Sequence, residues 1–292
     1  MNSSPAGETH LTNPKYVYKE VALPFLKKSS LKDRKQVHIH DSHSNRYMSI
    51  PADTKYREER KRYILTVLVR WAITIYQDFE PMKNRAVIFD LDGTLWDSTK
   101  QVCEIWNTVF KEEKIPLITV DTVMGCMGKT NEEISRILFQ GLEETEQDRI
   151  MDRCAEEEVK YFYQHGAVLY EGVDQILHEL KEFYDLYIVS NCQNGYVQSF
   201  LHSHGFEDCF KDIEMSGRTG KSKAENIRLI MERNRINEAV YVGDTVSDQN
   251  AAVKAGIPFI YAEYGFGNVN HQKYVLGKFS DLKDILHEIF MD

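Results

Sequence analysis

Two aspartates separated by one residue, Asp90 and Asp92, have the spacing in this sequence that most clearly suggests chemistry. They follow the apolar run 86–89, which is typical of a buried parallel strand that ends in a functional loop. Because side chains alternate along an extended chain, both carboxylates can face one cavity. Gly93 permits a sharp turn, and Thr94 adds a hydroxyl. Paired carboxylates suit a divalent cation and a phosphoryl group, since one can attack phosphorus while the other handles a proton.

Three further polar clusters lie beyond predicted strands or at a predicted helix start, where open α/β sheets bind ligands. Hydroxyl and amide groups at Ser190 and Asn191 can hold phosphate oxygens, and Asp244 and Asp248 bring two more carboxylates to the metal site. A lysine near residue 222 can add a cation beside a helix N-terminus, which already favours anions. Together the clusters predict a phosphoryl site with a metal.

The sequence leaves two candidates for that lysine. Ser222 and Glu225 match a capping box, so a helix is predicted to begin at this point. Lys221 then lies just outside the helix and Lys223 lies on its first turn, and either ammonium could hold the phosphoryl group.

The elements that position these residues alternate between strands and helices, which predicts an α/β fold with a parallel sheet flanked by helices. About 70 residues of helical character separate the first strand from the next one. We expect three parts: a basic, partly disordered extension over 1–81, an α/β core formed by 82–97 and 170–292, and a helical cap over 98–169. The apolar strand Pro258-Phe259-Ile260-Tyr261 is predicted to be the last one.

The string Asp-x-Asp-Gly-Thr-Leu-x-Asp-Ser over residues 90–98 resembles the first motif of the haloacid dehalogenase (HAD) superfamily of phosphatases. The order and content of the other clusters match its remaining motifs over roughly Met82 to Asp292. Within the superfamily the chain looks like the phosphoglycolate phosphatase-like and β-phosphoglucomutase-like branch. That resemblance implies a Rossmann-like sheet with a small helical cap inserted after the first strand. Where relatives often have Lys-Pro before the third-motif helix, this chain has Gly220-Lys221-Ser222-Lys223.

The resemblance also implies roles for the clustered residues. Asp90 would be the nucleophile that becomes an aspartyl phosphate, and Asp92 the general acid that later activates water. Mg²⁺ would be bound by Asp90, Asp244 and the Asp92 backbone carbonyl, with Asp248 supporting the metal shell. The remaining members would hold the phosphoryl group: Thr94, Ser190, Asn191 and Lys221 or Lys223.

The predicted activity is Mg²⁺-dependent hydrolysis of a small phosphorylated metabolite. Phosphomutase chemistry is the enzymatic alternative because it would use the same core, and a non-catalytic binding protein is the alternative from another class. The sequence does not determine the substrate or the oligomeric state.

Charge, hydrophobicity and cysteine usage limit which partners and which cellular location are expected. Residues 1–84 carry 15 Lys and Arg against 9 Asp and Glu, whereas the whole chain has a net charge of −9. The acidic body is therefore not typical of a nucleic-acid-binding protein. The apolar run 63–76 is too short for a membrane span and contains Arg70. Five scattered cysteines favour a reducing compartment, so a cytoplasmic location is expected.

Overall fold

The computed structural model describes residues 36–40, 47–51, 85–270 and 272–291. The chain separates into two compact units, Met1–Glu80 and Pro81–Asp292. In the first unit, strands β1 (Gln36–His40) and β2 (Tyr47–Pro51) pair in antiparallel register. This pair of strands was not expected from the sequence. The apolar run 63–76 lies outside the described residues.

The second unit is built on a six-stranded sheet in which every neighbouring pair is parallel. The strands are β3 (Arg85–Phe89), β6 (Asp185–Ser190), β7 (Asp212–Met215), β8 (Glu238–Gly243), β9 (Phe259–Ala262) and β10 (Tyr274–Leu276). Their spatial order is β10-β9-β8-β3-β6-β7. The predicted α/β fold is confirmed, but the expectation that residues 258–261 form the last strand is wrong, since β10 follows at the sheet edge.

Strand β3 shows why both faces of this sheet must be covered. Val87 and Phe89 belong to the core on one face, whereas Ala86 and Ile88 belong to a second core on the other. All four side chains are fully buried. The alternation places successive side chains on opposite faces, so helices are needed on both sides to remove them from water.

Most helices are connections between these strands. After β3, the two-residue strands β4 (Trp96–Asp97) and β5 (Val168–Leu169) pair where the chain leaves and rejoins the core. Four helices lie between them and are called the helical insert: α1 (Thr99–Glu113), α2 (Val120–Met124), α3 (Asn131–Leu138) and α4 (Glu144–His165). The remaining helices are α5 (Val173–Leu180), α6 (Tyr196–His204), α7 (Ser216–Thr219), α8 (Lys223–Asn234), α9 (Val246–Ala255) and α10 (Leu282–Met291).

Two of these helices begin at capping boxes that also position polar residues. Ser222 accepts a hydrogen bond from the Glu225 amide at the start of α8, and Thr245 accepts one from the Asp248 amide at the start of α9. Each side chain at the third helical position bonds back to its N-cap residue, which fixes the helix start. The first of these boxes was predicted from sequence and is confirmed. No helix in the described part of the chain is long and apolar enough to cross a membrane.

Candidate active site

The carboxyl ends of β3, β6 and β8 bring most of the predicted site residues to one edge of the sheet. Asp90 directly follows β3, Ser190 is the last residue of β6, and Asp244 follows the end of β8. Because β3 pairs with both other strands in parallel register, these three positions must be neighbours. Topology therefore assembles the site from residues more than 150 positions apart in sequence.

Lys223 lies between two of the buried carboxylates. Its ammonium Nζ is 3.0 Å from Asp90 Oδ1 and donates a hydrogen bond of 2.6 Å to Asp248 Oδ1. The side chains of Lys223, Asp90 and Asp248 are at most 3% exposed. Lys221 is exposed at the surface and contacts none of the site carboxylates, so the structure brings Lys223 alone of the two candidate lysines to the site.

Both Asp248 oxygens are already engaged. While Oδ1 accepts from Lys223, Oδ2 accepts from the amide and hydroxyl of Thr245 at 2.9 and 2.6 Å. Asp248 thus holds Lys223 in place and completes the capping box at the start of α9. It belongs to the carboxylate cluster, but both of its oxygens already accept hydrogen bonds.

Asp244 is oriented by a loop that the sequence analysis missed. The backbone amides of Phe266 and Gly267 donate to Asp244 Oδ2 at 2.8 and 3.3 Å. A Cβ atom at Gly93 or Gly265 would overlap the Asp244 side chain, so both positions require glycine for close approach. The two glycines at 265 and 267, directly after a predicted strand, were the available sequence signal.

The buried cluster has the electrostatic character of a cation site. Ligand oxygens of Asp90, Asp244 and Asp248 lie within 4.8 Å of one another, whereas one lysine of the described residues, Lys223, contacts the cluster. Burial, reinforced by the neighbouring Asp248, raises the pKa of both Asp90 and Asp244, although Lys223 opposes the shift. Among the described residues, the buried Asp244 Oδ1 has no hydrogen-bond partner, whereas Asp90 Oδ1 faces the Lys223 ammonium at 3.0 Å. An unpartnered carboxylate oxygen in a cluster with excess negative charge fits a divalent cation such as Mg²⁺.

The Asp92 side chain lies outside that cluster and is held by three donors. Trp96 Nε1, Ser98 Oγ and Tyr196 hydroxyl donate to Oδ1 at 2.9, 2.6 and 2.9 Å. Burial raises the pKa of Asp92, while these hydrogen bonds act in the opposite direction. A metal role for Asp92 would therefore involve its backbone carbonyl, as the resemblance implied. Tyr196, on α6, was not identified from sequence because it carries no motif.

The three predicted phosphate-binding side chains have different environments. Thr94 is fully buried, and its hydroxyl has no hydrogen-bond partner in the part of the chain that the structure describes. Ser190 lines the cavity above Asp90, and its Oγ accepts a 3.4 Å hydrogen bond from the Cys192 amide. The Asn191 amide already has a protein partner. Its Nδ2 donates a hydrogen bond of 2.8 Å to the Gly128 carbonyl, which connects the core to the segment between α2 and α3 of the helical insert.

A small cavity lies between the sheet edge and the helical insert. The core contributes Asp90, Asp92, Ser190 and Gln193 to its wall. The insert contributes further side chains: Trp106, Cys126, Lys129 and Glu158 among others. The core side of this cavity was predictable from the sequence motifs, whereas Glu158 and Trp106 lie on the insert helices and match no motif.

Comparison with known proteins places this geometry in a family. The family model described as haloacid dehalogenase-like hydrolase matches residues 87–262. A phosphoglycolate phosphatase of Xanthomonas campestris is 28% identical over 189 residues, which cover 62% of this chain and 84% of the relative. A phosphoglycolate phosphatase of Photobacterium profundum is 27% identical and covers 72% of this chain and 98% of its own length.

Solved structures share the fold at lower sequence identity. A predicted phosphatase from Clostridium acetobutylicum has a TM-score of 0.62 at 24% identity, covering 70% of this chain and 99% of its own. A predicted phosphoglycolate phosphatase from Haemophilus somnus has a TM-score of 0.62 at 21% identity, covering 69% and 97%. The family match spans more than half of the sequence, runs from within β3 to the end of β9 and contains the whole carboxylate cluster. The chain belongs to the haloacid dehalogenase-like hydrolase family.

Proposed function

We propose that this protein is a Mg²⁺-dependent phosphatase that hydrolyses a small phosphomonoester through an aspartyl phosphate on Asp90. The observation that carries the proposal is that Asp90 and Asp92 line one cavity in different surroundings. Asp90 belongs to the carboxylate cluster and pairs with Lys223, whereas Asp92 is held by neutral donors outside the cluster. The names of the relatives support a phosphatase.

In the first half-reaction, an Asp90 carboxylate oxygen attacks phosphorus and the bond from phosphorus to the ester oxygen breaks. Asp92, whose pKa is raised, transfers its proton to the departing alkoxide, so that a neutral alcohol leaves. The positively charged Lys223 ammonium stabilises the negative charge on the oxygens of the transferring phosphoryl group. In the second half-reaction, Asp92 takes a proton from water, which attacks phosphorus and releases inorganic phosphate and the Asp90 carboxylate.

Asp90 and Asp244 would hold Mg²⁺, with Asp248 supporting the shell through Lys223 and Thr245. Bound there, the ion supplies positive charge that lets a carboxylate approach an anionic phosphoryl group.

We further propose that residues 98–169 act as a cap over a core of 82–97 and 170–292, since Asn191 contacts the helical insert beside the cavity. A cytoplasmic location remains part of the proposal and rests on cysteine usage; all five thiols are free.

The test measures phosphate release by the full chain over a panel of phosphomonoesters, with and without Mg²⁺. Asp90→Asn is expected to lower turnover by roughly a thousandfold or more, since the nucleophile is lost. Asp208→Asn, at an exposed aspartate, is the matched control and is expected to retain activity. Mg²⁺ is expected to raise the melting temperature of the parent protein but not of Asp244→Asn, a readout that does not depend on turnover.

Two outcomes would defeat this proposal. If the folded protein releases no phosphate from any ester, the phosphatase function is wrong, and isomerisation of a sugar phosphate without release would point to phosphomutase chemistry. If Asp90→Asn releases phosphate at the parent rate, the reaction does not proceed through Asp90.

A further inference from the structure

Glu158 is a buried carboxylate in the cavity that the proposed mechanism does not use. It lies on α4 of the helical insert, is 4% exposed, and lines the same cavity as Asp90 and Asp92. A charged side chain is rarely buried without a specific partner, because removing it from water is costly. Its presence in the wall of the cavity therefore calls for a role.

The contacts of Glu158 keep both of its oxygens as acceptors. Trp106 Nε1 donates to Oε1, and Gln193 Nε2 donates to Oε2 at 2.8 Å. An indole nitrogen can only donate, so the oxygen facing Trp106 must accept. Within the described residues, Glu158 has no lysine, arginine or histidine at ion-pair distance, and its charge is held by neutral dipoles.

The cavity consequently has two ends of different chemistry. At the core end, Asp90 and Ser190 line the place for the phosphoryl group, with the Lys223 ammonium beside Asp90. The organic part of a bound ester must then extend towards the insert, where Glu158 forms the wall. The lining has one cation on that side, Lys129, and its Nζ donates to the Gly125 carbonyl at 2.8 Å.

We propose that Glu158 sets the substrate class, selecting phosphomonoesters whose organic part carries a hydroxyl or ammonium donor and disfavouring those that carry a carboxylate. This inference rests on the proposed phosphatase function but departs from the substrate in the names of the relatives, 2-phosphoglycolate. A donor group can bond to Glu158, whereas a substrate carboxylate placed beside a desolvated carboxylate is repelled.

The experiment compares three two-carbon esters that differ mainly in their terminal group: 2-phosphoglycolate, 2-hydroxyethyl phosphate and phosphoethanolamine. We measure kcat/KM for each at pH 8 with full-length protein and Mg²⁺. The parent protein is expected to favour the hydroxyl and ammonium esters over 2-phosphoglycolate by about tenfold or more. Glu158→Gln is expected to reduce that preference by a similar factor, chiefly by improving use of 2-phosphoglycolate.

Glu156→Gln is the matched control, because it removes one charge from an exposed position of the same helix. It is expected to leave the preference unchanged. The proposal is overturned if the parent protein favours 2-phosphoglycolate, which would mean that attraction of the substrate carboxylate to Lys129 exceeds its repulsion by Glu158. It is also overturned if folded Glu158→Gln keeps the parent preference. If Glu158→Gln fails to fold, the parent preference alone decides. Failure of the phosphatase function is distinct, since it would abolish release from the whole ester panel.

Discussion

Replacing Glu158 by glutamine should change how the stability of this protein depends on pH. Burial, with a smaller effect of Asp92, raises the pKa of Glu158 from 4.5 to about 7 in the folded protein. Between those values the folded chain keeps a proton that the unfolded chain has released, so folding stability falls as pH rises through this window. The full difference corresponds to about 3 kcal/mol of unfolding free energy by pH 8.

Glutamine cannot ionise, so Glu158→Gln escapes this loss. Its amide oxygen can accept from Trp106, and the Gln193 amide can rotate to accept from the new nitrogen. We expect parent and variant to be nearly equal in stability at pH 4.5, and the variant to be more stable by about 3 kcal/mol at pH 8.

The assay is urea denaturation at half-unit pH intervals from 4.5 to 8. Unfolding is monitored by circular dichroism, and the buffer contains a chelator. Glu156→Gln, at an exposed glutamate, should follow the parent within about 0.5 kcal/mol at every pH. Parallel stability curves for Glu158→Gln and the parent would refute the reasoning, because Glu158 would then ionise equally easily in both states.

Two further predictions concern the lysine and the Asp92 contacts. Lys223→Met should lower the unfolding free energy by about 3 kcal/mol or more at neutral pH in urea denaturation, since the buried carboxylates lose their cation. Lys221→Met, at an exposed lysine, should change it by less than about 0.5 kcal/mol. Equal effects of the two substitutions would contradict the assignment of Lys223 as the site lysine. Tyr196→Phe removes a donor that lowers the pKa of Asp92, so that pKa should rise and the alkaline limb of the kcat/KM pH profile should move to higher pH. An unmoved limb, with folding intact, would remove Tyr196 from any influence on the acid.

The parts of the site that were predictable from sequence are those in which neighbouring residues share one task. The strand 86–89 with Asp90 and Asp92 is such a case, because a buried strand and its terminal loop are continuous in the chain. The capping box at Ser222 also depends on residues three positions apart. Local patterns of this kind survive without knowledge of tertiary structure.

Features that depend on packing between distant segments were not predictable. The choice between Lys221 and Lys223 needed the direction in which each side chain leaves the start of α8. Glu158 resembles its exposed neighbours on an acidic helix until α4 is placed over the sheet edge. The edge strand β10 was missed because its three residues offer one buried side chain and no alternating pattern.

The loop 265–267, which orients Asp244, has a consequence for assigning activity from motifs. The groups that orient this carboxylate are backbone amides of Phe266 and Gly267, and no side chain of theirs takes part. A homologue could therefore retain every motif aspartate and lysine and still lose the proposed metal site through one substitution in the loop after β9, where Gly265 has no room for a Cβ atom. In this family, a pseudoenzyme could arise without any change to a residue by which an enzyme is recognised, so surveys of catalytic competence should score the 265–267 loop beside the motifs.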